Sequence, residues 1–245
     1  MQINNLETNV LDYGEGKQAV LLLHGWGGCA ASMLGLANDL SIRYRVIIPD
    51  LWGWGLSQKP PSDFGIFEYA KGIAELLNQK NLKQVCLIGH SFGGRIGLVL
   101  ASQYPQLISK LILIDSAGVK PKFSLCKYLK IKKYKHLKAL VERGEKSSDV
   151  LSKFGSTDYM QLDEQMQKVF VRVVNQHLNN LLDKIFQPTL IIWGKKDKQT
   201  PLYMAKVLHK KIKSSKIIQL KGGHFAYLTE KREVLKAVFK FLEEN

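Results

Sequence analysis

Directly behind the apolar run Val85-Cys86-Leu87-Ile88 stand Gly89-His90-Ser91-Phe92-Gly93-Gly94, and from Phe92 onward the apolar residues recur at helical spacing. A chain that leaves a buried strand and enters a helix within two residues must reverse sharply. A Cβ on the residues flanking the apex would collide with the turn, and glycines at 89 and 93 remove both obstacles. The apex residue, Ser91, is held in a strained conformation that lifts its hydroxyl out of the sheet. It sits over the N-terminus of the next helix, where the dipole favours developing negative charge. The competing reading is a glycine-rich turn that holds phosphate at a helix start. The residues found further along the chain favour the first.

The rest of the sequence supplies the sheet that this turn requires. AVLLLHG (19–25), RVIIPD (45–50), QVCLIGH (84–90), KLILID (110–115), TLIIWG (189–194) and KIIQL (216–220) are apolar on consecutive positions, as strands buried on both faces are. Helical patterns fall between them, around 30–41, 66–80, 92–104, 201–212 and 230–243. The last of these carries Val234, Leu235, Val238, Phe239 and Leu242 at helical spacing. The alternation predicts an α/β domain with a mostly parallel sheet and helices on both faces. Asp12-Tyr13-Gly14-Glu15-Gly16, between two short extended segments, reads as a hairpin. Between Gly118 and Pro188 no strand-like run appears, only helical patterns. The expected division is therefore a core of residues 1–118 and 187–245 with a helical insertion at 119–186.

At 245 residues the chain suits one such domain. Cys29, Cys86 and Cys126 are odd in number and lack CxxC spacing, which argues against a disulfide framework or a metal site. The start, MQINNLETNV, has neither a basic stretch nor an apolar run, so no secretory leader is expected and the predicted location is cytoplasmic. A net charge of +15 raises the question of nucleic acid. No zinc-finger or aromatic RNP motif is present, and lysine, poor at bidentate base contacts, far outnumbers arginine. The charge is read as a solvated face, with no nucleic-acid partner.

A serine hydroxyl becomes a nucleophile only when a base takes its proton. Of the six histidines, His224 in Lys221-Gly222-Gly223-His224-Phe225 follows the last strand-like run on a loop free enough to reach the sheet edge. His90 lies within the turn and points away from the hydroxyl. His136 and His177 fall in the insertion and His209 in a lysine-rich helix. His24 is read as bracing its own loop. The imidazole in turn needs a carboxylate to fix its tautomer and balance its developing charge. Asp197, just past the strand TLIIWG, is favoured, and Asp115, at the end of KLILID, is the rival. Donors for an oxyanion are expected from the backbone N–H of Trp26, in His24-Gly25-Trp26-Gly27-Gly28, and of Phe92. Asp50-Leu51-Trp52-Gly53-Trp54-Gly55-Leu56-Ser57 reads as a tight turn whose tryptophans, Trp52 and Trp54, either reach the pocket rim or simply pack.

HGWGG, DLWGWGLS, GHSFGG, WGKKD and GGHF, in this order and between these strands, resemble the α/β-hydrolase superfamily, and the match covers essentially the whole core. The resemblance implies an eight-stranded sheet, a hydrolase without cofactor or metal, and a cap formed by the insertion. Its expected substrate is a small acyl compound, an ester or similar, cleaved through Ser91, His224 and Asp197. Carbon–carbon hydrolysis with the same residues, a lyase and a receptor that does not turn over remain open alternatives. Serine at 91 argues against the dehalogenase and epoxide hydrolase branches, which carry aspartate there. Arg95 after Gly94 is similar to a GGR in the menaquinone-pathway synthase of the superfamily, where arginine meets an acidic substrate; a surface salt bridge is the alternative. Arg95, Trp54 and Phe225 are the candidate substrate contacts. The oligomeric state stays open.

The insertion begins with Lys120, Lys122, Lys127, Lys130, Lys132, Lys133, Lys135 and Lys138, interleaved with Phe123, Leu125, Tyr128, Leu129, Ile131, Tyr134 and Leu137. The favoured expectation is a lid whose apolar face covers the pocket while the lysines stay in water. The lesser one is a basic amphipathic helix in contact with anionic lipid.

Overall fold

A computed structural model describes residues 1–151 and 157–244. Its strands are β1 (Gln2–Ile3), β2 (Leu6–Glu7), β3 (Val10–Tyr13), β4 (Ala19–Leu23), β5 (Arg45–Pro49), β6 (Val85–His90), β7 (Ile108–Ile114), β8 (Thr189–Gly194) and β9 (Ser215–Leu220). Its helices are α1 (Leu34–Leu40), α2 (Ile66–Gln79), α3 (Phe92–Gln103), α4 (Leu125–Glu142), α5 (Thr157–Met160), α6 (Glu164–Asn175), α7 (Tyr203–Lys211), α8 (Ala226–Thr229) and α9 (Lys231–Glu243).

Among the described residues the main sheet has seven strands in the order β3-β5-β4-β6-β7-β8-β9. Only β3 runs antiparallel to its neighbour. Every residue of β4, β6 and β8 is buried, which explains their unbroken apolar runs. Their side chains alternate between two layers. Leu21 and Leu23 join one cluster with α2, α3 and α7, while Val20 and Leu22 join the other with α1 and α9. The edge strand β9 is half open, with Ile218 exposed.

The main sheet has seven strands among the described residues where eight are expected, and the first two strands pair with each other outside it. Asn4 and Asn5, at φ 53° and 60°, make the two-residue turn that asparagine favours. This hairpin replaces the one expected at 12–16. There β3 pairs with β5, and β4 lies on the far side of β5. The Arg45 guanidinium grips both carboxylate oxygens of Asp12, and Lys80 adds a third contact. Arg45, against a smaller effect of burial, brings the Asp12 carboxyl down to about 2. That fork fixes β3 on β5 at the edge of the sheet.

Between β7 and β8 the described residues form helices and turns, and the two longer helices differ. On α6, Met166 is buried, and Val169 and Val173 are buried in the main cluster with Leu178, Leu181 and Leu182. The helix is also tied to the loop before α2, where Gln165 Nε2 donates to Pro60 O, the Ile66 N–H donates to Gln176 Oε1, and Lys59 pairs with Asp163. On α4, Leu137 is buried, but Leu125, Tyr128, Leu129 and Ile131 face solvent. The expected apolar inner face of the lysine-rich helix is therefore turned outward.

Candidate active site

Ser91 closes β6 and opens α3 at φ 49° and ψ −105°, a region that L-residues rarely occupy and that costs of order 1–3 kcal/mol. The turn is this tight because strand and helix touch. A Cβ at Gly93 would lie 2.1 Å from the Leu23 carbonyl oxygen, and one at Gly89 would lie 2.6 Å from the Gly93 backbone. Ser91 is pinned by its N–H to Ile114 O, while its own carbonyl accepts from the amides of Arg95 and Ala117.

The loops that follow β8 and β9 bring their side chains to this apex. Ser91 Oγ lies 2.9 Å from His224 Nε2, and His224 Nδ1 lies 2.8 Å from Asp197 Oδ2. With a neutral imidazole the consistent tautomer carries its hydrogen on Nδ1, donating to Asp197 and leaving Nε2 to accept from the serine. Burial pushes the Asp197 carboxyl up, but the bonds from His224 and Thr200 outweigh it, and the group stays below the usual carboxylate range. Thr200 Oγ1 donates to Asp197 Oδ2 at 2.6 Å, and the amides of Gln199 and Thr200 donate to Oδ1. Thr200 escaped the sequence reading. Its signal is an aspartate followed by a threonine three residues on, a spacing that lets the turn satisfy the carboxylate.

Asp115 is not in contact with the imidazole. Its Oδ1 accepts from the Gly194 N–H at 2.8 Å, and its Oδ2 is buried without a donor. Burial pushes this carboxyl up to about 8, and the neighbouring Asp197 charge adds to the shift. With that shift Asp115 favours the neutral acid at neutral pH.

His90 plays a part the sequence did not reveal. Its Nε2–H donates to the backbone carbonyl of His224 at 2.8 Å, and its ring lies 4.9 Å from that of His224. Burial, reinforced by His224, lowers its pKa to about 3, so it stays neutral and keeps donating. His24 accepts from the Leu51 N–H and donates to Gly25 O, which braces the loop beside the serine. That loop is close, since a Cβ on Gly25 would stand 3.5 Å from Ser91 Cβ. The Phe92 N–H is one of the helix-start donors without an intrahelical acceptor, and the Trp26 backbone follows Gly25 directly.

Above this loop the aromatic rings stack edge to face. Trp26 meets Phe92 at 5.0 Å, Trp54 at 5.2 Å and Phe170 of α6 at 5.2 Å. The indole N–H groups of Trp26 and Trp54 are buried with no acceptor among the described residues. Phe225 is half exposed, with its ring 5.3 Å from that of His224. Arg95 differs from its expected surface or substrate role. It is buried, and its guanidinium donates to the carbonyls of Val173 and Gln176 at the end of α6. A cation at the negative end of a helix dipole is favourable, so Arg95 anchors α6 to the serine's own helix. His136 and His209 take no part in this site. Among the described residues no cluster of three or more His, Cys, Asp or Glu is arranged to hold a metal.

Residues 18–138 match the sequence profile of the alpha/beta hydrolase fold. The uncharacterized hydrolase YugF of Bacillus subtilis is 30% identical over 236 residues, 85% of this chain and 84% of YugF. An uncharacterized protein of Mycobacterium tuberculosis is 41% identical over 101 residues, a match spanning 41% of this chain but only 30% of that protein. Among solved structures, an esterase from Exiguobacterium antarcticum superposes with a TM-score of 0.78 at 25% identity, covering 100% of this chain and 98% of that one.

Proposed function

We propose, from the premise that the chain belongs to the α/β-hydrolase superfamily, that it is a serine hydrolase cleaving a carboxylic ester or a similar acyl bond. The observation that carries this reading is the unbroken relay from Ser91 Oγ through His224 to Asp197. The likeness to an esterase supports it. Ser91 Oγ attacks the carbonyl carbon as its proton passes to His224 Nε2. The carbonyl oxygen becomes an oxyanion, held by the N–H groups of Trp26 and Phe92. His224, now an imidazolium balanced by Asp197, gives its proton to the leaving alkoxide, and an acyl-Ser91 remains. Water then attacks with His224 again as base, and Ser91 recovers its proton as the acid departs. Each oxyanion donor contributes on the order of 10²–10³ in rate. In this reading residues 119–186 form the cap, with α6 roofing the oxyanion loop through Phe170.

The test is covalent. A fluorophosphonate is expected to add one phosphonyl group to the wild-type chain and none to Ser91→Ala, read by intact mass, with hydrolysis of a chromogenic acyl ester lost in parallel. Labelling of a correctly folded Ser91→Ala chain would remove Ser91 as the nucleophile. Labelling of Ser91 without turnover of any ester across a range of acyl lengths would point to carbon–carbon or lyase chemistry at the same residues.

A further inference from the structure

We propose that α4 and the residues leading into it form a docking surface for an anionic lipid bilayer. Phe123, Leu125, Tyr128, Leu129 and Ile131 are each between 45% and 79% exposed, within a stretch of nine residues. Soluble proteins keep apolar side chains scattered, and a contiguous group of this kind marks a surface that meets something apolar. On the helix, Leu125, Tyr128 and Leu129 fall on one face, and Phe123 precedes them at its start. Lys120, Lys122, Lys130, Lys132 and Lys135 are exposed around them. The Lys132 ammonium lies 5.2 Å from the Tyr128 ring and the Lys122 ammonium 4.8 Å from the Tyr203 ring, so the cations sit level with the aromatic side chains.

The charge selects the occupant. A second copy of this chain would bring its own excess of fifteen positive charges and its own lysines against these, which is repulsive. An anionic leaflet offers both halves of the match, an acyl boundary for the apolar side chains and headgroup charge for the lysines. The helix does not enter the bilayer core. Among the described residues no helix is long and apolar enough to cross a membrane, and α4 is suited to lying in the interface plane. Its inner side explains how it is held, with Leu137 buried and Tyr134 set against Tyr159. Tyr159 meets Phe170, and Phe170 meets Trp26. The inner side of the helix that bears the docking face is therefore joined to the candidate active site by one line of rings.

This inference goes beyond the hydrolase reading and is tested without turnover. The full chain carrying Ser91→Ala is mixed with sucrose-loaded vesicles of phosphatidylcholine alone, or of phosphatidylcholine containing phosphatidylglycerol, and bound protein is measured by sedimentation. Binding is expected to the anionic vesicles only, and to weaken as salt rises. Each lysine near such a surface strengthens partition about five-fold. Replacing Lys130, Lys132 and Lys135 by Gln should therefore reduce it at least about ten-fold. Replacing Phe123, Leu125 and Leu129 by Ser, which leaves the charge untouched, should also abolish most of it. The control removes the same charge elsewhere, with Arg232, Lys236 and Lys240 of α9 changed to Gln, and should bind nearly as wild type. An equal loss in that control would reduce the effect to diffuse charge and overturn the proposal. So would unbound anionic vesicles, equal binding to neutral ones, or a protein dimer that the Phe123, Leu125 and Leu129 changes dissociate.

Discussion

Asp197→Asn is expected to lower kcat on a chromogenic ester by a factor of ~10⁴, whereas Asp115→Asn is expected to leave it within about ten-fold of wild type. The amide keeps the size of the carboxyl but offers its NH2 where Oδ2 now accepts from His224 Nδ1–H. The imidazole then turns to its other tautomer, with hydrogen on Nε2, and cannot receive the Ser91 proton. The loss should fall on kcat and kcat/KM alike, since the lost interaction matters most when the imidazolium forms. Asp115 has a different position. Its Oδ1 is held by the Gly194 amide and burial favours the neutral acid, so Asn reproduces its shape and the bond at Oδ1. A chain in which Asp115→Asn is the more damaged of the two would exchange their roles.

The same Asp115→Asn change is expected to stabilise the fold by a few kcal/mol in mild alkali and hardly at all in acid. In the unfolded chain an aspartate ionises near ~3.9, while in the fold Asp115 holds its proton up to about 8 because it is buried beside Asp197. Between these values the folded state binds more protons than the unfolded one. Its stability therefore falls as pH rises, by ~1.4 kcal/mol per unit for a group wholly protonated in one state and ionised in the other. Above about 8 both states are ionised and the fall stops. The asparagine carries no such dependence. The stability of the variant relative to wild type should therefore grow from about pH 5 to about pH 8 and then level off, measured by urea unfolding at each pH. Asn also tolerates the φ of 45° found at this position. A difference that does not change with pH would mean that Asp115 is ionised in the fold.

The features legible in the sequence were those fixed by local sterics or by burial on both faces. The turn at Ser91 announces itself because Gly89 and Gly93 have no substitute where strand and helix touch. The runs of β4, β6 and β8, and of Leu111–Ile114 in β7, are legible because these residues are buried on both faces of the sheet. Where pairing is decided by groups distant in the chain, the sequence is silent. Nothing around Tyr13 says that β3 will pair with β5, because the Arg45 and Lys80 contacts to Asp12 are made only in the fold. Asn4-Asn5 was a readable turn signal, but the two-residue strands beside it are too short to show alternation. Arg95 reads as a ligand contact because its charge is visible and its partners, the backbone carbonyls of Val173 and Gln176 at the end of α6, carry no sequence mark. The lysine-rich helix was misjudged for a similar reason. Its apolar residues show that one face seeks cover, but periodicity does not say on which side of the molecule the cover lies.

His224 reaches Ser91 from three strands away, a lateral distance of roughly 14 Å at the usual strand spacing. A glycine pair on so long an overhang would behave as a cantilever, and its free tip would carry the base with all the play of the loop. The hydrogen bonds make it a beam supported at both ends. At the root, the Glu230 carboxylate accepts the amides of Lys221 and Gly222, and the Lys196 amide donates to Gly222 O. At the tip, the His90 ring, growing from the same strand end as the nucleophile, takes the weight through the His224 carbonyl. The distance between base and nucleophile is then measured from one shared footing, so play in the span between is not passed on to it.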